Sequence, residues 1–396
     1  MDPISLIWRI KELFPLEVAL TLGIVFWAVS WCWPRRIITL PAAGSRVRFL
    51  TKLGIWGGIT VLAVGTLSSF FVMRRYFPEI TGFDGWWQRA APLLAAAAVV
   101  AVSAAVLART PRPLPGERAI APHRRWWAFA PLPALWIAAG AGALTLLTAL
   151  WHTLIGVSAP ADGLLFGNVP ATETDLPVFF RAFGGVAYIA GAGWPNHLCT
   201  ILAVGVAAVA LILALRADSN RPSPVSVSPG DVRAERSATA RLLTLIVLGG
   251  VLLTLGALWA HVGFAGTVIA GSDFVSGDRD APVRPADLVF LGTDYQAIAG
   301  PMARAGYLVQ GLGAALLLRL VSDTIRAARA RRRTTPPAGP TASAAASALY
   351  VSLARPVPAR SAVSAARPAG GTGAGTGRTG TGTGNGTDAA DAEERR

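Results

Sequence analysis

The sequence predicts an all-α fold: a polytopic bundle of seven transmembrane helices, N-terminus outside and C-terminus inside, with a disordered cytoplasmic tail. Three observations predict it. Of 396 residues, 53% are hydrophobic and only 15% charged, a balance that makes lipid the solvent. Seven windows stay apolar over the roughly 20 residues a helix needs to cross a bilayer core. Lys and Arg in the successive connections number 2, 5, 3, 5, 1, 5 and 2, an alternation that fits seven crossings with the five-charge loops in the cytoplasm.

Segment one runs from Leu16 to Trp33. Arg9 and Lys11 stand against Asp2, Glu12 and Glu17, so it lacks the positive leader of a signal peptide, and "WCWPRR" occupies the place of a small-residue cleavage site. It is read as a span. Segment two covers Leu53 to Met73, and segment three, Ala91 to Leu107, is mostly alanine and carries the weakest apolar signal. Segments four (Leu132 to Val157) and six (Leu242 to Phe264) are leucine-rich, while five and seven cover Trp194 to Leu215 and Ala297 to Val321. Most of the 13 tryptophans fall near a span end, the level indole rings prefer.

Three regions follow from this spacing. Residues 1–130 hold three segments, and residues 131–321 hold four. Residues 322–396 combine a basic juxtamembrane stretch ("SDTIRAARARRR") with a tail of Pro, Ala, Gly, Ser and Thr that buries too little to order itself. The GxGxxG in that tail has no strand before it or helix after it, and is a by-product of the repeats. A shift of 108 residues aligns segments four and five with six and seven: seven of seventeen positions between Leu135 to Trp151 and Leu243 to Trp259 are identical. This suggests, without establishing, a tandem repeat of two helix pairs, each with a long acidic outer loop (158–193 and 265–296). The apolar piece 178–193 is expected to lie in the interface or re-enter the outer leaflet against protein.

The net charge of +14 sits in the cytoplasmic loops and the tail, where it sets orientation and attracts anionic headgroups. The expected partners are therefore the bilayer and anionic lipid headgroups on the cytoplasmic face, not nucleic acid. The arginine-heavy, lysine-poor and alanine-rich style is bacterial and suits a plasma membrane. Retinal chemistry is excluded, because the only lysines, Lys11 and Lys52, lie outside the spans. No Walker A loop, HExxH or nucleophile elbow stands in a suitable context. The sequence assigns no catalytic residue, no metal ligand set and no cofactor.

The candidate site is a set of polar groups at the outer face: His152, His197, His261, Arg304 and Gln310. His152 and His261 close segments four and six, and His197 opens segment five, so the predicted topology puts the three rings at one depth. Histidine can bind a metal, ligate haem or relay a proton. The plainer reading, polar residues satisfied by water and headgroups beside their tryptophans, outweighs each of these. Because His152 directly follows its Trp and His261 is one residue further on, the two rings differ by roughly 100° about the helix axis and are not equivalent ligands. Arg304 is expected to form a structural ion pair with Asp287 or Asp294, and Gln310 extends a polar stripe below it. The leading functional reading is a non-enzymatic binding or interaction protein that uses the outer face of segments four to seven. The alternatives are a small-solute transporter or channel, and a haem- or metal-binding membrane protein.

Overall fold

A computed structural model describes residues 18–32, 36–41, 44, 46–74, 87–119, 123–157, 179–182, 187–266 and 294–334. Residues 158–178, 183–186 and 267–293 of the two long acidic connections lie outside this set. So do Asp287, the side chain of Asp294 and the unit Pro336–Arg396.

Eight α-helices are described: α1 Val18–Ser30, α2 Val47–Lys52, α3 Gly58–Arg74, α4 Ala91–Arg109, α5 Leu132–Leu154, α6 Trp194–Ser219, α7 Pro229–Gly266 and α8 Asp294–Thr334. A π-helical turn, Leu53–Gly57, joins α2 to α3. Six helices among the described residues are long and apolar enough to cross a membrane: Val47–Ser68, Ala91–Arg109, Leu132–Leu154, Trp194–Ser219, Pro229–Gly266 and Tyr295–Arg333. The chain is thus a largely helical, multi-spanning bundle. Expected segment one appears as α1, whose 13 described residues fall short of that length. Expected segment seven continues past Val321, and α8 ends only at Thr334.

Prolines mark the starts of α4, α5 and α6: Pro92, Pro133 and Pro195 all sit in the first turn. There the missing N–H would have had no intrahelical acceptor, and the fixed φ suits the helix. The fold is otherwise inside-out relative to a soluble bundle. On α6, Ala203, Ala207 and Ala214 face inward, while Leu202, Val206, Val209 and Leu213 are exposed. Between lipid-solvated helices no hydrophobic gain drives association, so small residues that let backbones approach take its place.

The packing is tightest between α7, which is buried on nearly all sides, and α8. Gly249, Gly256 and Gly263 recur every seventh residue along α7. A Cβ on them would come within 2.6 Å of Leu317, 2.5 Å of Gln310 and 2.4 Å of the Ala303 nitrogen, respectively. Gly306 and Gly313 of α8 answer them, facing Ala260 and Leu252. A strict seven-residue repeat is the period of a left-handed helix pair.

Arginines gather at one end of the bundle. Arg46 pairs with Asp218 and lies near Glu235, and Arg236 donates to the Ser219 carbonyl at 2.8 Å. Asp323, fully buried, accepts from the Ile37 N–H at 2.9 Å and from Arg319 Nε at 3.3 Å. Trp31 lies between two guanidinium groups, with Arg319 4.3 Å and Arg326 4.4 Å from its ring centre. Cys32 and Cys199 are free thiols, Cys32 exposed.

Segment 178–193 holds local order that apolarity alone did not indicate. Phe179–Ala182 (β1) pairs antiparallel with Ala187–Ala190 (β2), Phe179 opposite Ala190 and Ala182 opposite Ala187. The hairpin runs into Gly191 and Gly193, at φ +116° and +88°, where a side chain would be strained.

Candidate functional site at the histidine end

α5 and α7 run toward the end opposite the arginines, and α6 and α8 start there. His152 near the end of α5, His197 in the first turn of α6, His261 late in α7 and Tyr295 at the start of α8 therefore meet. The ring centres of His152 and His197 are 4.9 Å apart, those of His152 and His261 6.1 Å, and those of His197 and His261 6.4 Å. His152 and His197 are fully buried.

Two glycines bring α5 and α6 into this register. The Gly193 N–H donates to the His152 carbonyl at 3.1 Å, and a Cβ on Gly156 would stand 2.7 Å from the Gly193 Cα. Only bare backbone fits at this crossing. Trp259 of α7 closes the third side by donating its indole N–H to Thr148 Oγ1 at 3.0 Å. Trp151 meets Tyr295 edge-on at 5.3 Å.

The hydrogen bonds fix which ring nitrogens carry protons. The Val262 carbonyl can only accept, so the Tyr295 hydroxyl, 2.6 Å away, gives it its proton. The Tyr295 oxygen then accepts from His152 Nε2 at 2.9 Å. With its proton on Nε2, neutral His152 accepts at Nδ1 from His197 Nε2, 2.7 Å away. His261 Nε2 faces the Gly191 carbonyl at 3.1 Å and must also be the protonated nitrogen. All three imidazoles are thereby assigned the same tautomer. The chain leaves His197 Nδ1 as a bare acceptor, buried and without a hydrogen-bond partner among the described residues.

A cation is anchored on Asn196, the residue before His197. Arg89, in the turn before α4, donates from Nη2 to the Asn196 carbonyl at 3.0 Å and reaches Asn196 Oδ1 at 3.4 Å. Asn196 is itself held by donating to the Ala192 carbonyl at 3.1 Å. Arg89 Nε is buried without a partner, as is Thr200 Oγ1 one turn along α6. The guanidinium lies close enough to act electrostatically on all three histidines. Burial lowers the Arg89 pKa to about 10, which still leaves it charged at neutral pH. It has no ion pair among the described residues.

This geometry bears on the metal and haem alternatives. Nε2 of every one of the three rings faces a protein acceptor, and His152 uses both of its nitrogens. Among the described residues no group of three or more His, Cys, Asp or Glu side chains is placed to hold a metal ion.

The other two predicted residues lie elsewhere. Arg304 is exposed on α8 and has no ion pair among the described residues; its expected partners, Asp287 and the Asp294 side chain, lie outside them. Gln310 lines a separate cavity with Gln88. Sequence reasoning missed Arg89 and Tyr295. Arg89 belongs to a connection with two further arginines and had no signal of its own, and Tyr295 stands two residues before the window drawn for segment seven. No family model, no curated protein and no solved structure matches this chain.

Proposed function

We propose that the protein is a non-enzymatic binding protein of a bacterial plasma membrane, whose ligand site is the centre formed by His152, His197, His261, Tyr295, Asn196 and Arg89. The observation that carries this reading is the pairing of two buried, unpartnered groups of complementary kind: the His197 Nδ1 acceptor and the Arg89 Nε donor. Buried polar groups are almost always satisfied, and an unsatisfied one costs about 1–3 kcal/mol. Two in one place suit a ligand that completes them. With a guanidinium unneutralised by any described carboxylate, that ligand is a small anion carrying a hydrogen-bond donor for His197.

The hydrogen-bond chain serves this role by holding His197 in the tautomer that keeps Nδ1 bare. It ends on a backbone carbonyl, so it orients the ring and does not lead a proton across the bundle.

Thermal unfolding of the full chain in lipid nanodiscs, with bicarbonate or phosphate as probe, tests the reading. Saturation at a hundred times Kd stabilises a protein by about 2.7 kcal/mol, a readily measured rise in Tm. At least one probe is expected to raise Tm in the native protein but not in His197→Ala or Arg89→Met. Equal shifts in all three, or none in any, would count against the site.

The charge alternation further supports an orientation with the histidine end outside and the arginine end on the anionic cytoplasmic leaflet. A reporter fused after residue 170 that is active in the cytosol would reverse it.

A further inference from the structure

A second polar site lies apart from the histidines. A cavity of about 60 Å³ opens between α1, α3, the start of α4, α7 and α8, and its walls include Leu62, Leu253 and Ala257. That volume is room for a few water-sized groups. Thr66 on its rim is exposed, so the cavity reaches the outer surface of the bundle, which in a bilayer faces lipid.

Its polar groups are two amides, Gln88 and Gln310, and the hydroxyls of Ser68 and Thr66. Among the described residues no charged side chain lines it. Gln88 is only 9% exposed, and its side-chain oxygen is buried without a hydrogen-bond partner. Ser68 and Thr66 already give their protons to the Gly65 and Leu62 carbonyls, at 2.8 and 2.9 Å, so neither can satisfy it. The stem of Gln310 packs over Gly256 of α7, where a Cβ would come within 2.5 Å of its Cγ.

We infer that this cavity binds the hydroxyl end of an uncharged, membrane-dissolved alcohol. The described lining is uncharged and offers amides and hydroxyls beside apolar walls, which suits a neutral polar group better than an ion that must give up its hydration. The apolar walls accept the adjoining carbons, and the opening at Thr66 lets a hydrocarbon chain remain in the bilayer. A hydroxyl both donates and accepts, so it completes the Gln88 amide in either of its two orientations, whereas an ether or a ketone lacks the donor.

The test is photolabelling of the full chain in lipid nanodiscs with a sixteen-carbon alcohol bearing a diazirine beside its hydroxyl end, compared with the methyl ether of the same molecule. The alcohol is expected to label residues 62–68 and 253–257 about tenfold more than the ether. Gln88→Leu, which removes the unpartnered oxygen, and Ala257→Phe, which fills the cavity, should each bring alcohol labelling down to the ether level. Circular dichroism and Tm confirm that both variants fold. Equal labelling by alcohol and ether, as a water-filled or purely apolar cavity would give, overturns the assignment. So does alcohol labelling that survives both substitutions.

Discussion

Tyr295 receives a hydrogen bond from His152 Nε2 at 2.9 Å while giving its own proton to the Val262 carbonyl at 2.6 Å, so one hydroxyl ties α5 to both α7 and α8. The direction of every later bond in the histidine chain follows from that carbonyl.

Tyr295→Phe deletes the oxygen and is expected to lower stability by about 1 kcal/mol, the usual net worth of a hydrogen bond. Its sharper signature is spectroscopic. Nitrogen-15 spectra of histidine-labelled protein in bilayers should show Nε2 protonated and Nδ1 bare on His152, His197 and His261. In Tyr295→Phe this uniformity should be lost at His152.

The crossing of α5 and α6 admits no side chain. Gly156→Val would drive a Cβ against the Gly193 backbone, and Gly193→Ala would place a side chain at φ +88°. Each is expected to cost about 2–3 kcal/mol in thermal or denaturant unfolding. Gly140→Ala, where nothing lies within 4 Å of the added methyl, should be neutral and serves as the reference.

Arg89 should weaken the fold while serving the site. Burial lowers its folded pKa to about 10, so the folded state holds the guanidinium proton less tightly than the unfolded state does. Its contribution is therefore destabilising below pH 10, where it is charged in both states, and lifts as pH rises above 10. Arg89→Met is expected to raise stability at neutral pH by about 1–3 kcal/mol while abolishing anion binding. A loss of stability would show that Arg89 is a structural group.

Much of the architecture was legible in advance because the bilayer imposes it. Segments three to seven fall on α4 to α8, since length and apolarity suffice to mark a span, although α7 starts at Pro229 and α8 ends at Thr334, well beyond segments six and seven. Counting helix directions gave His152, His197 and His261 a shared depth, but the plainer expectation left each ring to water and headgroups, whereas His152 and His197 are buried and bonded to each other. What the sequence concealed were features set by tertiary contact. The bonds that make His152 a two-sided link depend on Tyr295 and Val262, more than a hundred residues away. The hairpin Phe179–Ala182 with Ala187–Ala190 lay within a stretch whose apolarity drew attention to membrane depth rather than to alternation. Arg304 and Gln310 looked like one stripe on one helix, yet their neighbours on other helices separate them.

The seventh-residue glycines of α7 have a mechanical corollary. With main chains in near contact, the α7–α8 couple cannot slide by a residue without forcing a bulky neighbour such as Leu252 or Leu253 into the opposing backbone, so it forms a stationary post. His261 and Tyr295 are mounted on that post, so two of the four rings of the histidine centre are held in a fixed mutual register.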